Sequence, residues 1–317
     1  MLRQASARLG IFALSLVVAS LVIFVITQAL PGDIAQVMLG QGATPEQLAA
    51  KRAELGTDRP FAQQYASWVG GLLVGDFGRS WLSGLPVTVL IGPRLGVTAW
   101  LVGLGLLLAI VIALPVGAVA ALRRRSWPGF LTSAAAQVGM AIPAFWAGIL
   151  LVLVFAVALR WLPANGYVPL TRDPVEWARH LVLPVVALGL VQAAVLVRYV
   201  RSAFLEVLGE DYYRTARAVG WTKGRALARH GVRNAALSLV TVLGLQLASV
   251  IVGAIVIERV FVLPGLGSLL LEMVSQQDLV VVRGVTMVLV LTVLVINAAV
   301  DVSYVFIDPR LRTGGRG

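Results

Sequence analysis

Cysteine is absent from the 317 residues of the chain, and only two histidines are present. Without cysteine the chain forms no disulfide and offers no thiolate for metal binding or nucleophilic catalysis. The two histidines, His180 and His230, are 50 residues apart, which leaves little for an imidazole metal site. The lysines, Lys51 and Lys223, belong to no Gly-Lys-Ser/Thr sequence, so no P-loop is predicted. We therefore predict no metal site, no catalytic residue and no cofactor bound by this chain.

Charged residues are also scarce. They make up 13% of the chain, against about 25% in a typical soluble protein. Hydrophobic residues make up 59%, and the mean hydropathy is +0.89. So few charged and polar residues cannot cover the surface of a water-soluble protein, so the composition predicts an integral membrane protein. In a soluble protein the net charge of +11 would suggest a nucleic-acid partner. In a membrane protein, the distribution of that charge along the chain decides whether it indicates a nucleic-acid partner or the orientation in the membrane.

Six apolar stretches are long enough to cross a hydrocarbon core of about 30 Å as helices. They cover residues 9–30, 97–122, 130–159, 180–197, 236–257 and 284–306. The fourth is the shortest and contains Pro184. The first could instead be a signal peptide, although no small-x-small cleavage site follows its apolar run. The predicted fold is an all-α polytopic membrane protein with six transmembrane helices in one domain, residues 1–317.

Basic residues are concentrated on one side of the predicted membrane. Segments 1–8, 123–129, 198–235 and 307–317 hold 16 Lys and Arg against 4 acids. Segments 31–96, 160–179 and 258–283 hold 10 against 10. Positive charge is retained on the cytoplasmic side of membrane proteins, so both termini are predicted to be cytoplasmic. Because topology explains the charge, no nucleic-acid partner is expected.

The long segment 31–96 is predicted to be external and folded. Thr44-Pro45-Glu46-Gln47 has the pattern of a capping box with proline at the first helical position, and Gly56 should end that helix. After Arg59-Pro60, apolar residues recur at helical spacing, at Phe61, Tyr65, Trp68, Val69, Leu72 and Leu73. The apolar face of this second helix could lie on the lipid, face a docking partner, or pack on the ends of the spans.

The predicted cytoplasmic loop 198–235 contains a short helix between Gly209 and Gly220. Its acids come first and its arginines later, as a helix dipole prefers, and Gly220 suits a left-handed residue just past the helix end. Glu210 and Arg214 are spaced as an i,i+4 ion pair.

The same helix has a narrow apolar stripe at Tyr212, Ala216 and Val219. Two interpretations remain open from the pattern alone: a surface helix that fits a groove on another protein, or a positively charged loop that happens to be helical.

The run from Tyr212 to Gly220, followed by residues 229–235, resembles the EAA loop of ABC importer permeases of the dipeptide/oligopeptide (Dpp/Opp) branch. Motifs similar to that branch occur along almost the whole chain. They are Leu30-Pro31-Gly32-Asp33, Leu55-Gly56 with Asp58-Arg59-Pro60 and Gln64-Tyr65, Gly75-Asp76-Phe77-Gly78-Arg79-Ser80, Ile142-Pro143-Ala144-Phe145-Trp146, Trp161-Leu162-Pro163-Ala164-Asn165-Gly166, Glu258-Arg259-Val260-Phe261 with Pro264-Gly265-Leu266-Gly267, and Asp301-Val302-Ser303-Tyr304 with Asp308-Pro309-Arg310. Seven such motifs occur in the same order as in that branch, along a chain with six predicted spans. They favour the interpretation that the short helix fits a groove on another protein.

The resemblance implies a type I ABC importer permease that imports di- or oligopeptides and lies in a bacterial cytoplasmic (inner) membrane. It implies a second homologous permease, one or two ATPase subunits that bind ATP and magnesium, an external binding protein, and the lipid around the spans. The resemblance also implies that the chain couples to the ATPase through the residues of the EAA-like run, namely Tyr213, Arg214, Thr215, Ala216, Arg217, Ala218 and Gly220. Relatives of this branch that import nickel, glutathione or haem leave the cargo open.

Four positions depart from the pattern of that branch. Arg214 stands in place of the glutamate that names the motif, Val219 in place of a frequent lysine, Ser238 in place of a frequent proline, and Ala141 in place of a usual serine.

Polar residues inside spans are costly and usually face a bundle interior or a water-filled path. The candidates are Gln137, Gln192, Gln246 and Asn297, each of which could equally hold two helices together by a hydrogen bond. Asp301, near the cytoplasmic end of the last span, could pair with a cytoplasmic arginine. A self-sufficient secondary transporter would need charges or broken helices at the midplane and inverted repeats, and the sequence shows no obvious repeat.

Overall fold

The structure, a computed structural model, describes the backbone of residues 2–29, 33–40 and 42–307, and all their side chains except those of 2–8, 230, 233–238 and 301–307. The motif residues 30–32 and 308–310, and the Asp301 side chain, lie outside this description. Throughout the described ranges the regular elements are helices, with one isolated β-bridge between Arg79 and Pro86. Five of these helices are long and apolar enough to cross a membrane, and six if one bent pair counts as a single span. The all-α prediction is therefore confirmed.

The chain divides into two compact units, Met1–Val97 with Gly265–Val295, and Thr98–Pro264 with Ile296–Gly317. The helices, in chain order, are α1 (Leu2–Ala29), α2 (Ile34–Leu39), α3 (Pro45–Leu55), α4 (Phe61–Leu73), α5 (Val87–Leu122), α6 (Trp127–Ala141), α7 (Ala144–Leu151), α8 (Pro174–Gly209), α9 (Asp211–Ala218), α10 (Lys223–Ala226), α11 (Val232–Val260), α12 (Leu266–Ser275) and α13 (Leu279–Ile307). Two π-helical segments, Val152–Ala158 and Leu227–Gly231, follow α7 and α10. Several spans are longer than predicted: α5 begins ten residues before the predicted 97, and α8 extends well beyond 180–197 at both ends.

Helices α5 and α8 pack closely within the second unit because α5 has a small residue at every fourth position of the contact. These residues are Gly105, Ala109, Ala113, Gly117 and Ala121, and all are buried. A Cβ atom placed on Gly105 would lie 3.0 Å from Leu188 Cδ2, and one placed on Gly117 would lie 2.5 Å from Val200 Cγ1. Both contacts join residues 83 positions apart, so the two helices run parallel in a fixed register. Small residues at this spacing let helix backbones approach where no hydrophobic effect drives them together.

The third predicted span, 130–159, is not one straight helix, which corrects the sequence prediction. It is divided between α6 and the helix that begins at Ala144, and the two axes meet at 101°. Ile142 has extended backbone angles, φ −84° and ψ 119°, because a following proline disfavours the helical conformation of the residue before it. Pro143 then begins the next helix without a side-chain cap. By contrast, α8 continues through its own proline, Pro184.

The first unit contains the short helices predicted in 31–96, and it confirms both. Thr44 Oγ1 accepts a hydrogen bond from the Gln47 backbone N–H at 3.3 Å, and Gln47 Oε1 accepts one from the Thr44 N–H at 2.9 Å, completing the capping box. Gly56 ends α3 with φ +70°. The sequence did not predict α2, which is only six residues long.

The apolar face of α4 packs against the first span. The Phe24 ring, fully buried on α1, has its centroid 5.0 Å from that of Phe61, 5.4 Å from that of Tyr65 and 5.8 Å from that of Trp68. The Tyr65 hydroxyl also lies 2.9 Å from Ser20 Oγ. Of the three interpretations that the sequence left open for this helix, packing on a span end is the one that the structure supports.

Two buried charged side chains, neither of which the sequence analysis singled out, hold the first unit together. The carboxylate of Asp278, at 0% exposure, accepts a hydrogen bond from Ser80 Oγ at 2.6 Å. Arg283 donates from Nε to Thr27 Oγ1 at 2.7 Å and from Nη2 to Gln28 Oε1 at 2.9 Å. Both contacts connect residues about 200 or more positions apart, so they join the start of α13 to the segment before α5 and to α1.

An ion pair between α2 and α3 gives this region a pH dependence. Arg52 donates from Nε to Asp33 Oδ2 at 2.9 Å, and its guanidinium holds the pKa of the Asp33 carboxyl below the usual value near 3.8. A lowered folded-state pKa contributes stability above the unfolded-state pKa, and this contribution is lost as the pH falls through the folded-state pKa. Because the pair is largely exposed, we expect Asp33→Asn to cost less than about 1 kcal/mol. Hydrogen exchange of α3 at pH 7 would measure the loss, and Glu54→Gln, which removes only the pair with Lys51, serves as the control.

Candidate coupling surface and transport path

Helix α9 has one face buried in the core of the second unit. Tyr213 is 7% exposed and Ala216 is 6% exposed, and both belong to the same hydrophobic cluster as Ala109 and Ala113 of α5. Val207, near the end of α8, is also in this cluster. The short helix is therefore packed against the long helices α5 and α8.

The end of α9 is fixed by a turn that requires a left-handed residue. Gly220 has φ +94°, its N–H donates to the Arg217 carbonyl at 3.1 Å, and the Trp221 N–H donates to the Ala216 carbonyl at 3.2 Å. These two hydrogen bonds define a Schellman motif, in which glycine is favoured at the left-handed position. The predicted role of Gly220 at the helix end agrees with this geometry.

Trp221 completes the turn, and the sequence analysis missed it. Its ring packs against the hydrophobic cluster, and the Arg225 guanidinium lies 4.9 Å from the ring centroid. The Tyr213 hydroxyl donates to the Lys223 carbonyl at 3.4 Å, which ties α9 to α10. The sequence signal for Trp221 was its position directly after the glycine predicted to end the helix. A residue at that position often makes an apolar contact with the last turn of the helix.

The structure corrects two details of the predicted helix. The buried stripe consists of Tyr213 and Ala216, whereas Tyr212 is 39% exposed and Val219 is 74% exposed. The predicted Glu210–Arg214 pair is replaced by an ion pair between Arg214 Nη1 and Asp211 Oδ1 at 3.3 Å. The helix begins at Asp211, so its first acid lies three residues before Arg214, which is within ion-pair reach along a helix.

The seven residues assigned to coupling thus fall into two groups. Tyr213 and Ala216 face inward and cannot contact another protein while α9 keeps this position. The others lie on the exposed side of the helix and its turn, namely Arg214, Thr215, Arg217, Ala218 and Gly220. Together with the exposed Val219, they form a small basic surface with an apolar edge, which we call the α9 surface.

Truncation of Tyr213 should loosen α9 from the core. We expect Tyr213→Ala to cost about 3 kcal/mol, as for other large aromatic side chains removed from a core. Tyr212→Ala, at the neighbouring exposed position, should cost about 1 kcal/mol or less. Thermal unfolding of the two purified variants in the same detergent measures the difference, and equal losses would contradict the burial of Tyr213.

The four candidate path residues lie in different environments. Gln137 on α6 is exposed, Gln192 on α8 is 8% exposed, and Gln246 and Asn297 are half-buried. In the described part of the chain no hydrogen bond joins any two of them. A Cβ atom placed on Gly244 would lie 3.5 Å from Asn297 Oδ1, so α11 and the end of α13 approach closely there. The structure does not bring the four together into one polar site.

Long apolar helices, one sharply bent helix pair, and a short surface helix packed on the long helices are the architecture of a membrane protein. Comparisons with known proteins agree. Residues 113–313 match the model of the family described as binding-protein-dependent transport system inner membrane component, and residues 1–86 match its N-terminal model.

The chain belongs to this family, and its fold is that of a type I ABC importer membrane domain. It is similar to a Brucella abortus (strain 2308) protein whose name describes a peptide transport system permease, with 40% identity over 94% of this chain and 95% of the relative. A Brucella ovis protein whose name describes a peptide permease is 39% identical over 98% of this chain and 99% of the relative. The glutathione transport system permease protein GsiC of Salmonella typhimurium (strain LT2) is 39% identical over 96% of both chains. As a family member, the chain is an inner membrane component of an importer that works with a substrate-binding protein and an ATPase.

Proposed function

We propose that this chain is a peptide permease subunit whose α9 surface receives the movement of a separate ATPase subunit. The observation that carries this proposal is the two-sided placement of α9. One side, through Tyr213 and Ala216, is packed in the core that joins α5 and α8. The other side is exposed, basic and apolar at its edge, as a helix docked in a groove of another protein needs to be.

The energy of ATP hydrolysis must then reach this chain through its contact with the ATPase subunit. The chain has no Gly-Lys-Ser/Thr sequence for binding the phosphates of ATP, so ATP and magnesium are bound by the partner. One or two ATPase subunits below the membrane, a second homologous permease beside this one and an external binding protein complete the assembly. Closure of the ATPase pair moves α9, and the spans rock between inward-facing and outward-facing states. Part of segment 31–96 contributes the docking surface for the binding protein.

The same proposal places α9 and both termini in the cytoplasm, as the distribution of arginine and lysine indicates. The absence of cysteine makes this simple to test. Ala218 on α9 and Ala49 on α3 are both exposed, so a single cysteine can be introduced at either. A membrane-impermeant maleimide should label Ala49→Cys in intact cells and Ala218→Cys only after the membrane is opened. The opposite pattern would reverse the orientation.

Peptides are the cargo that the similarity favours. The relatives in Brucella carry names that describe peptide permeases, and the relative in Salmonella is named for glutathione, itself a tripeptide. Glutathione is therefore the second candidate cargo. The external binding protein selects the cargo in this arrangement, because the described spans of this chain hold no cluster of charged residues that would form a binding cage.

Purification of the tagged chain from its native host in a mild detergent tests the assembly. We expect an ATPase and a second six-span permease to co-purify and to be identified by mass. Reconstituted with the binding protein, this complex should import radiolabelled trialanine only when ATP is supplied. A chain that purified alone and transported cargo in liposomes without ATP would overturn the proposal.

A further inference from the structure

The turn between α5 and α6, residues 123–126, carries three adjacent arginines. Arg123, Arg124 and Arg125 directly follow the end of α5, and all three are exposed. Within the described part of the chain, none of their side chains forms an ion pair, a cation–π contact or a hydrogen bond. Three like charges at neighbouring positions repel each other, and an anion from outside the chain would relieve that repulsion.

The backbone holds this turn in one compact shape. The Arg123 carbonyl accepts hydrogen bonds from the Ser126 backbone N–H at 2.9 Å and from Ser126 Oγ at 2.8 Å. Gly129, in the first turn of α6, passes so close to the Arg123 carbonyl that a Cβ atom would not fit between them. The three arginines are therefore held next to the beginning of α6.

Beside these arginines, the first turn of α6 exposes two aromatic rings. Trp127 is 75% exposed and Phe130 is 61% exposed, and their ring centroids lie 5.8 Å apart in an edge-to-face arrangement. Leu131 and Val138, which are also exposed, continue the face of α6 that Trp127 begins. Residues 126–159 contain no charged side chain, so this face can enter a hydrocarbon core. Tryptophan next to arginine at the end of a span is typical of the membrane–water boundary.

We propose that the α5–α6 turn is a binding site for an anionic phospholipid of the leaflet that it faces. The guanidinium groups of Arg123, Arg124 and Arg125 hold the phosphate group, since guanidinium matches phosphate with two parallel hydrogen bonds. The rings of Trp127 and Phe130 pack against the glycerol region and the upper part of an acyl chain. Only the choice of leaflet rests on the proposed function, whose topology makes it the cytoplasmic one.

A phospholipid fits this surface better than a second protein does. The ATPase proposed below the membrane could supply acidic residues to the three arginines. It would not cover the apolar face from Trp127 to Val138, which has to lie in hydrocarbon or against another span. One phospholipid covers both parts, because its charged head and its acyl chains follow each other along α6 in the same order as the arginines and the apolar face.

Native mass spectrometry of the purified chain in detergent micelles measures the lipid that stays bound. Phosphatidylglycerol and phosphatidylcholine with identical acyl chains are compared. We expect phosphatidylglycerol to bind at least about tenfold more tightly, since each arginine near an anionic headgroup contributes about fivefold. Equal affinities would overturn the inference, and so would displacement of the lipid by excess inorganic phosphate, which would indicate a site for a free anion. The measurement needs no transport, so its failure would leave the proposed function standing.

Arginine variants assign the binding to the turn. The triple variant Arg123→Gln, Arg124→Gln, Arg125→Gln should weaken the binding of phosphatidylglycerol about a hundredfold and leave that of phosphatidylcholine unchanged. The matched control removes the same charge from three exposed arginines of the predicted external segments, namely Arg160, Arg172 and Arg259. Its affinity should be that of the unmodified chain. An unchanged affinity in the first variant, or an equal loss in both, would contradict the assignment.

A tryptophan variant separates a lipid from an anion held by charge alone. Trp127→Ala should weaken the binding of phosphatidylglycerol at least about tenfold, because the aromatic ring no longer shields the acyl chain from water. Trp146→Ala, at an exposed tryptophan on α7, is the control and should bind as the unmodified chain does. Full affinity in Trp127→Ala would contradict the lipid assignment. If the triple arginine variant lost the ATPase on purification but kept its lipid, the arginines would face that protein, and the inference would be wrong.

Discussion

Replacement of Gly220 by valine should uncouple transport from ATP hydrolysis. Gly220 has φ +94°, a conformation that costs a residue with a side chain about 1–2 kcal/mol, and a β-branched one at least that. The space around it is open, so the loss comes from the backbone and not from a clash. The Schellman turn would break, Trp221 would leave the core, and the α9 surface would change its direction. We expect ATP-driven import to fall at least about tenfold, as each 1.4 kcal/mol of lost docking energy implies.

The reconstituted complex measures both activities at once. Gly220→Val should keep a basal ATPase rate but lose the stimulation that the loaded binding protein gives. Gly224→Ala, in the same segment, has no positive φ and open space for its methyl group, so it should behave as the unmodified protein. Normal import by an assembled Gly220→Val complex would show that the turn geometry does not carry the coupling.

The second large effect is expected where α5 meets α8. A Cβ atom on Gly117 would lie 2.5 Å from Val200 Cγ1 and 2.8 Å from its Cβ, closer than van der Waals contact allows. Gly117→Leu would force the helices apart at a contact built on small residues, which costs typically about 1–3 kcal/mol and more when the backbone cannot shift. The neighbours of this contact belong to the cluster that holds α9, so α9 would also lose its support.

Thermal unfolding of the purified chain in detergent tests this expectation. Gly117→Leu should lower the unfolding temperature by several degrees or prevent purification of a folded protein. Gly103→Leu is the matched control, because Gly103 is on the same helix with nothing within 4 Å of its Cβ position. If both variants unfolded at the same temperature, the close approach of α5 and α8 would be refuted.

The sequence predicted the helical class, the short helices of 31–96 and the helix between Gly209 and Gly220, because each depends on local rules. Span length, the capping box at Thr44 and the glycine after α9 act within a few residues of themselves. The resemblance to peptide permeases, carried by motifs along the whole chain, predicted the family that the comparisons show.

Features that depend on tertiary packing were missed or assigned to the wrong residue. The buried side of α9 is set by what α5 and α8 offer it, so the periodicity chose Tyr212 where the structure buries Tyr213. Pro143 lies at the break between two helices whereas Pro184 lies inside the continuous helix α8, so the presence of a proline did not by itself predict the break. The small residues from Gly105 to Ala121 recur at a four-residue spacing in the sequence, which is the signal of a close helix contact.

The most direct test of the central claim, that the α9 surface contacts an ATPase subunit, is a cross-link from a single cysteine. The chain has no cysteine of its own, so Ala218→Cys introduces the only thiol, at an exposed position where the side chain grows by one atom. In the purified complex, a short thiol-to-amine cross-linker should join this residue to the ATPase subunit and spare Ala49→Cys on α3. A complex that contains the ATPase, but in which Ala218→Cys gives no such product and Ala49→Cys does, would contradict the account.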